Sequence, residues 1–453
     1  MYGKYGVGGI CGAAMGDPTM RIGEAWNKGV IATVRTWRSA SNGALEEAPG
    51  GRVRAARQFS ELHAYKYIKK VEQGAKLFGL ESPFFRPQEG RVGSKALVAG
   101  RPRLNFAWCN YLGLNEHPAV AEAARSAIDQ YGTCVSASRM VAGEIPLHEK
   151  LEKKIAQFCG VDQALLFVSG HAANVSTIGT IMNEDDLIVH DALVHNSAVV
   201  GTRLSGATSV SFRHNDPEAC EKILRENRGK YRNALVVIEG LYSTEGDIPD
   251  LARFIDIKER YGAWLMVDDA HGVGVLGSHG RGCAEQCGVD ARKVDIWMGT
   301  LSKALASCGG FISGNNVLID ILKHAAPGFV YSVGLPPPMA AAALASLEVL
   351  EAEPERVARL HANSARFLSE SRAAGLDTGN GQGYGIVPVI IGNTFKLGKL
   401  EKRLFERDIV ASPIFPPGVP INGGRLRFFL TSEHTAHEIS SAVSALKQEL
   451  GLS

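Results

Sequence analysis

Residues 264–272 read WLMVDDAHG, an apolar run that leads directly into two carboxylates. An apolar run of this length is typical of a buried strand, and the acids would follow at its carboxyl end. Because side chains alternate along a strand, Asp268 and Asp269 are expected to face opposite ways. The stretch therefore predicts a buried strand that delivers one carboxylate, Asp268, to the edge of a sheet. The alternative is an acid that caps a loop.

Six further apolar runs have the length of strands, and helix-like segments such as residues 250–261 separate most of them. Repeated alternation of strand and helix is typical of a mainly parallel sheet with helices on both faces. The predicted fold class is therefore α/β, with a doubly wound sheet in a large domain. The six runs are residues 164–168, 187–190, 209–212, 234–238, 296–298 and 310–312.

By pattern, the chain divides into four regions. Residues 1–55 form an irregular leader, and residues 56–105 form a helical or extended segment. In that second region, apolar side chains recur every three residues from Phe59 to Val71, which predicts a helix from Gln58 to about Phe78, with Ser82-Pro83 as the stop signal. Residues 106–338 are the predicted large domain.

The fourth region, residues 339–453, predicts a smaller α+β domain. Its Ala-rich start and spaced leucines favour helix over 339–375. The other predicted elements are strands at 386–391 and 426–430, a helix near 399–407 and a closing helix from Thr435.

Composition excludes several classes of partner. Lys and Arg number 49 and Asp and Glu 47, so the net charge of +2 predicts no nucleic-acid partner. No apolar stretch approaches the ~18 residues of a membrane span, and no secretion signal is recognisable. The eight cysteines have no disulfide-framework spacing, which is typical of reduced thiols and predicts a cytoplasmic protein.

Two motif matches are not expected to bind a ligand. Residues 272–277, GVGVLG, fit a dinucleotide fingerprint, but the SHGRG that follows opens a helix poorly. Cys283 and Cys287 lie close to His279, yet they lack a fourth ligand and a zinc-type spacing. No metal site is predicted.

Lys303 is the first candidate for chemistry. It ends MGTLSK, residues 298–303, directly after an apolar strand and before ALASCGG. Ligands of open α/β sheets bind at the carboxyl ends of strands, where this lysine would lie. Burial would lower the pKa of its ammonium group and free the amine as a nucleophile.

A second candidate is the anion site predicted at residues 169–174, SGHAAN, which follow one strand and open a helix. Backbone N–H groups of Ser169, Gly170 and His171 would point at a phosphate there. Thr300 could add its hydroxyl. The alternative is an ordinary turn between a strand and a helix that binds no ligand.

His195 completes the set of candidates, because its flat ring could cover an aromatic cofactor. A covalent lysine, an anion for a ring nitrogen, a phosphate cradle and a ring cover are the parts that pyridoxal 5'-phosphate (PLP) requires. Lys303, Asp268, the 169–174 turn and His195 match those parts in turn. PLP is therefore the predicted cofactor.

Taken together, these motifs resemble the α-oxoamine synthase family of fold-type I PLP enzymes over about residues 80–445. The order and spacing of many motifs make the resemblance specific. Further matching stretches are NYLGL from Asn110, SR at 138–139 followed by Gly143 and His148, YSVGLPP from Tyr331, and Leu426-Arg427.

The resemblance implies a role for each matching residue. Lys303 would hold PLP covalently and act as the catalytic base, Asp268 would pair with the ring nitrogen, and His195 would stack on the ring. His271 and Ser243 match groups near the phenolic oxygen. The residues implied for the substrate are Arg427, which would receive its carboxylate, and Asn110.

The implied reaction is a decarboxylating condensation of an amino acid with an acyl thioester, acyl-CoA or acyl-carrier protein. Its products would be an α-amino ketone, carbon dioxide and a free thiol. An aminotransferase or lyase on the same fold is the nearest alternative, and a non-catalytic partner subunit is another. Lys303 argues against the last of these, because such subunits lack the lysine.

The resemblance also implies partners. Ser332 falls where a neighbouring subunit would approach the phosphate, which predicts a homodimer. The pattern is most similar to serine-palmitoyltransferase-like synthases associated with polyketide synthases, and the segment before residues 84–87 would suit docking to a carrier protein. Two positions depart from related enzymes: Cys109 replaces an asparagine of 8-amino-7-oxononanoate synthases, and Val333-Gly334 replaces hydroxyl residues.

Overall fold

The computed structural model describes residues 58–416 and 418–452, so the leader predicted over residues 1–55 lies outside the described residues. The chain divides into two compact units. The smaller unit contains the described residues up to Phe85 together with Ile391–Lys402 and Ile414–Gly424. The larger unit contains Arg86–Ile390, Arg403–Pro413 and Arg425–Ser453.

Thirteen strands are found in the described part of the chain. They are β1 (Gln88–Glu89), β2 (Lys95–Val98), β3 (Arg101–Phe106), β4 (Gln163–Phe167), β5 (Leu187–Asp191), β6 (Thr208–Phe212), β7 (Ala234–Glu239), β8 (Trp264–Asp268), β9 (Ile296–Thr300), β10 (Gly310–Gly314), β11 (Ile386–Gly392), β12 (Ile409–Ile414) and β13 (Gly424–Phe429).

Fourteen α-helices accompany them in the same residues. They are α1 (His63–Leu77), α2 (Pro118–Tyr131), α3 (Pro146–Cys159), α4 (Gly170–Ile181), α5 (Asn196–Ser205), α6 (Pro217–Asn227), α7 (Leu251–Tyr261), α8 (Cys283–Cys287), α9 (Asn316–Ala325), α10 (Pro327–Val330), α11 (Pro337–Ala352), α12 (Glu355–Ala373), α13 (Thr394–Glu406) and α14 (Ala436–Leu450).

A seven-stranded sheet, with the strand order β4-β10-β9-β8-β7-β5-β6, is built from the seven predicted strands. The pairs from β9 to β6 are parallel, and β10 runs antiparallel to β4 and β9. The predicted α/β fold with a mainly parallel sheet is therefore confirmed. Register places Glu239 beside Asp268 and Asp268 beside Met298, so three strands end at one edge.

The core explains why these strands read as continuous apolar runs. All six residues of β7 are buried, as are all five residues of β9 and all five of β10. A strand covered by helices on both faces has no solvated side, so its apolar residues do not alternate with polar ones. The main cluster joins these strands to residues of α4 and α9 such as Ile178 and Leu322.

A second sheet, of six strands, has the order β1-β2-β3-β12-β13-β11. Of these six strands, only β11 and β13 were predicted from the sequence. The first three are antiparallel neighbours, and β12 pairs in parallel with β3. Their burial is mixed, and β3 carries Pro102 between two arginines, so no apolar run marks them.

Two predicted helices differ from the observed elements. α1 begins at His63 rather than at Gln58. Its end at Leu77 lies next to the predicted Phe78, and there Leu80 N–H bonds the carbonyl of Ala75 and closes the helix. The helix expected over 339–375 is two helices, α11 and α12, because Pro354 interrupts the backbone hydrogen-bond ladder between them.

Within residues 58–416 and 418–452, no helix has the length and apolar character needed to cross a bilayer.

Candidate active site

A cavity of about 180 Å³ lies at the carboxyl ends of β7, β8 and β9. Eight of the twelve residues predicted from sequence line it. They are Gly170, His171, His195, Ser243, Asp268, His271, Thr300 and Lys303; the other lining residues are Ser197, Glu239, Ala270 and Met298. Residues that are 133 positions apart in sequence are thus brought together at one sheet edge.

Lys303 follows β9 and points its amine at this cavity. No described residue forms a hydrogen bond or an ion pair with its Nζ. Burial lowers the pKa of its ammonium group below the ordinary value, and Cys109, Asp268 and Glu239 oppose that shift only in part. A larger share of neutral amine is therefore available to act as a nucleophile or a base.

Asp268 and Asp269 face opposite ways, as alternation predicts. Asp268 Oδ1 accepts a hydrogen bond from Ala270 N (3.1 Å), and its Oδ2 accepts one from Asn174 Nδ2 (2.7 Å). Asp269 points away and accepts from Cys283 N (2.9 Å). Burial raises the pKa of Asp269 well above its usual range, whereas Asp268 reaches the cavity. Of the two acids, only Asp268 can meet a ligand there.

His195 precedes α5 and is held through its Nδ1. The hydroxyl of Ser197 lies 2.7 Å from that nitrogen, and Ser197 N–H donates to it at 3.3 Å. Burial lowers the pKa of His195, which favours the neutral imidazole. A neutral ring can lie on an aromatic cofactor without repelling a protonated ring nitrogen.

His271 contributes a second neutral imidazole. Its Nδ1 lies 2.8 Å from the hydroxyl of Tyr111, and its ring is nearly parallel to that of Phe429. Burial, and then the charges of Lys303 and Arg427, hold the pKa of His271 well below its usual range. The Tyr111 contact fixes the direction of the ring.

The anion site was predicted at what is now seen to be the N-terminus of α4. Ser169 caps the helix by accepting a hydrogen bond from Ala172 N (3.0 Å), so its hydroxyl is used within the fold. The backbone N–H groups of Gly170 and His171 belong to the first turn, where a helix has no internal acceptors. Thr300 lines the cavity, but its Oγ1 donates to the carbonyl of Gly309 (3.0 Å).

Arg427 lies on β13, and only some of the hydrogen-bond donors of its guanidinium group have partners. Nη1 donates to the carbonyl of Ser243 and Nη2 donates to Ser412 Oγ, both at 3.3 Å. Its Nε is buried and has no partner among the described residues. Burial lowers the pKa of Arg427, and Cys109 and Tyr111 act against that shift. A buried cation with an unused donor suits a carboxylate ligand.

Asn110 and Ser332 do not line the cavity. Asn110 is buried, its Nδ2 donates to the carbonyl of Val92 (2.7 Å), and its Oδ1 accepts from Asn115 N (3.3 Å). Ser332 is half-buried in a loop beside the exposed Tyr331. Their roles toward substrate and phosphate stay predictions.

Four further residues of the site were not singled out from the sequence: Asn174, Ser197, Glu239 and Tyr111. Glu239 is 4% exposed, and burial beside Asp268 raises its pKa well above the usual range. A signal for it existed, since Glu239 ends a buried strand just as Asp268 does. Asn174 and Tyr111 lie inside motifs that were recognised, and Ser197 lies two residues after His195, but only the fold shows which atoms they contact.

Comparison with known proteins decides the family. The model of aminotransferase class I and II matches residues 101–446. A curated 8-amino-7-oxononanoate synthase of Geotalea daltonii is 41% identical over 360 residues, which cover 79% of this chain and 91% of that protein. The chain belongs to the α-oxoamine synthases.

Solved structures agree with this assignment. Serine palmitoyltransferase of Sphingomonas wittichii superposes with a TM-score of 0.81 at 28% identity, covering 86% of this chain and 98% of that one. An 8-amino-7-oxononanoate synthase of Francisella tularensis superposes with a TM-score of 0.68 at 26% identity, covering 77% and 98%. Another serine palmitoyltransferase, with a TM-score of 0.81 at 26% identity, contains PLP and covers 87% and 98%.

Membership confirms the predicted enzyme class, cofactor and reaction. An α-oxoamine synthase is a PLP-dependent acyltransferase that condenses an amino acid with an acyl thioester and releases carbon dioxide. This reaction replaces the alternative functions considered from the sequence, namely an aminotransferase, a lyase and a non-catalytic subunit. The relatives include two kinds of enzyme from this family, the 8-amino-7-oxononanoate synthases and the serine palmitoyltransferases.

The cavity itself fits PLP. It joins the amine of Lys303, a carboxylate on a neighbouring strand and the first N–H groups of a helix, and neither the amine nor these N–H groups have a partner among the described residues. These are the groups required by an aldehyde, a basic ring nitrogen and a phosphate.

Proposed function

We propose that Lys303 holds PLP covalently, that Asp268 pairs with the ring nitrogen and His195 covers the ring, and that Arg427 binds the carboxylate of the amino-acid substrate. The observation that carries the proposal is the amine of Lys303. It is an unpaired amine with a lowered pKa that opens into the same cavity as Asp268. Residues 170 and 171 would hold the phosphate, with Thr300 beside them.

Bound PLP supplies an aromatic ring that accepts the electron pair left when a bond to the amino-acid Cα breaks. The chain provides the rest. Arg427 orients the carboxylate, and Asp268 holds a proton at the ring nitrogen. The substrate's amine would first replace Lys303 on the cofactor and so release Nζ. The freed, neutral amine of Lys303 would then take the Cα proton as general base, since burial keeps that amine partly unprotonated. His271 lies on the same cavity, where it would hydrogen-bond the phenolic oxygen together with Ser243.

Replacing Lys303 by Ala tests this assignment. We expect K303A to lose the visible absorbance of the covalently bound cofactor and to lose turnover together. The assay adds purified enzyme to glycine, serine or alanine with an acyl thioester and measures released carbon dioxide and free thiol. K447A, at a lysine on α14, is the control and should behave as wild type. Retention of both signals by K303A would remove the proposed base.

A homodimer forms part of the proposal. Two adjoining loops expose apolar side chains: Met140 and Val141 in one, Tyr331 and Val333 in the other. Gly334 N–H donates to the carbonyl of Ala137 (3.0 Å), which joins the loops into one patch. An exposed apolar patch next to Ser332 suits a second copy of the chain that brings the two phosphate sites together.

A carrier protein is the proposed source of the acyl thioester, in a polyketide-type or related assembly line. α1 lies in the smaller unit and has no buried residue. Tyr65, Ile68 and Val71 form an exposed apolar stripe on it. Four lysines (66, 69, 70 and 76) accompany a single acid, Glu72. A basic amphipathic helix fits an acidic protein partner that presents an apolar centre.

The cytoplasm is the proposed compartment. All seven cysteines in the described residues are free thiols, which suits a reducing environment.

A further inference from the structure

A buried hydrogen-bonded chain links Asp268 to His195 through two side chains that had no assigned role. Asn174 Nδ2 donates to Asp268 Oδ2 (2.7 Å) and to Ser197 Oγ (2.9 Å). Ser197 Oγ then lies 2.7 Å from His195 Nδ1. Asn174 and Ser197 are both fully buried.

We propose that Asn174 and Ser197 are positioning residues that fix Asp268 and His195 as one unit around the cofactor ring. The inference rests on the proposed roles of Asp268 and His195. It adds a physical link between the group at the ring nitrogen and the group on the ring face. Neither positioning residue is expected to touch the reacting atoms.

The direction of the chain follows from the donors available. An asparagine amide has two N–H donors, and both are used here, one on each acceptor. The opposite amide orientation would put Asn174 Oδ1 against a carboxylate oxygen, which is repulsive. Oδ1 has no hydrogen-bond partner among the described residues and is buried. The fold therefore leaves one acceptor unsatisfied in order to direct both donors, which suits a positioning role.

Ser197 sets the tautomer of His195. Because its Oγ accepts from Asn174, its hydroxyl hydrogen is free to donate to His195 Nδ1. Ser197 N–H is directed at the same nitrogen (3.3 Å). With two donors aimed at it, Nδ1 is an acceptor, so the ring proton is on Nε2. The imidazole is thereby held neutral and in one orientation.

A change at either Asn174 or Ser197 is therefore expected to affect the positions of both Asp268 and His195. Without Asn174, Asp268 Oδ2 loses a donor and Ser197 loses the group that orients its hydroxyl. Without Ser197, His195 can rotate or take the other tautomer, and one Asn174 N–H is buried without an acceptor. Residues that share one network have effects that do not add.

A double-mutant cycle on PLP affinity tests the proposal without relying on turnover. Apoenzymes of wild type, N174A, S197A and N174A/S197A are titrated with PLP, and the dissociation constant is measured from the visible absorbance. We expect each single change to weaken PLP binding about tenfold, the value of a hydrogen bond to a charged or tightly held group. The double variant should lose much less than the product of the two, and the absorbance maximum should shift in all three.

Thr177 supplies a matched control on the same helix. It is fully buried, and its Oγ1 has no hydrogen-bond partner among the described residues, so T177V removes a hydroxyl that links nothing. T177V should keep the wild-type PLP affinity. Independent, multiplicative losses in the cycle, or wild-type affinity in S197A, would overturn the proposal.

Thermal melting of each apoenzyme separates positioning from folding. If N174A does not fold, N174L, which keeps the branched shape of the side chain without hydrogen-bonding groups, takes its place in the cycle. The cycle uses no substrate, so its outcome is independent of the proposed condensation. Failure of the wild-type enzyme to release carbon dioxide and thiol would count against the function and not against this link.

Discussion

At the scale of single residues, Asp268 and Asp269 show how position determines chemistry. The two acids are adjacent in sequence, yet one opens into the cavity and the other is enclosed. A Cβ added at Gly272 would lie 1.8 Å from Asp269 Oδ1, so the chain must come that close without a side chain. The strand alternation that separates the two acids was predicted, and so was Asp268 as the one at the sheet edge, where it lines the cavity.

Arg427 provides a prediction at this scale. R427K keeps the positive charge but loses the planar fork and the Nε donor. We expect the KM for the amino-acid substrate to rise about tenfold, with a smaller change in kcat, because a lysine cannot bind a carboxylate in two places. Initial rates against amino-acid concentration measure this. PLP affinity serves as the control and should be unchanged; an unaltered KM would contradict the role.

At the scale of elements, the strand ends are tied together where the site begins. His214, after β6, is hydrogen-bonded on one side to Asp191 at the end of β5 and on the other to Asp247 in the loop after β7. Asp191 also accepts from Leu193 N (2.7 Å), in the loop that leads to His195. The ion triad therefore fixes the base of that loop.

The triad makes stability depend on pH. Burial alone would lower the pKa of His214, but hydrogen bonds to Asp191 and Asp247 outweigh it and raise the pKa to about 10. A folded-state pKa above the unfolded value of 6.5 gives stability that is full below pH 6.5 and is lost as the pH rises through 10. We expect H214N to lose roughly 3 kcal/mol near neutral pH, as when a buried ion pair is broken.

Melting temperatures of wild type and H214N at pH 6, 8 and 10 measure this effect. The gap between the two should narrow as the pH approaches 10. H437N, at an exposed histidine on α14, is the control and should match wild type throughout. A constant gap across this range would contradict a charged His214.

The elements also show where sequence patterns were informative. Every strand of the seven-stranded sheet was predicted, and most of them are buried on both faces and so read as apolar runs. The edge strand β6 differs, because of its five residues only Phe212 is buried. Strands β1 to β3 gave no such signal, since they are short and partly solvent-exposed. The break between α11 and α12 depends on Pro354. It was not predicted, because the helical pattern is strong on both sides of that proline.

At the scale of the whole molecule, exposed apolar surface points to partners. Ile68 and Tyr65 on α1 are 51% and 44% exposed, and the lysines beside them are unmatched by acids on the helix apart from Glu72. Reversal of charge in K66E/K70E should raise the KM for a carrier-bound thioester about tenfold through lost electrostatic attraction. The KM for the coenzyme A thioester should be unchanged.

A matched control for this prediction reverses two lysines on α3, in K150E/K153E. That variant should use both thioesters as wild type does. The difference between α1 and control variants should shrink at high salt, because surface charges are screened. Equal effects of K66E/K70E on both thioesters would argue against carrier docking at α1.

The sequence by itself determined the family, the strands of the main sheet and most of the residues around the cavity. It could do so because apolar runs and the motifs at strand ends are formed by residues that are neighbours along the chain. Only the tertiary structure decided that Asn174 reaches both Asp268 and Ser197, that Glu239 is buried beside Asp268 and that Asn110 is occupied by backbone groups. Those contacts join residues distant in sequence, and hydrogen-bond partners follow from distance and direction in space, which local patterns do not specify.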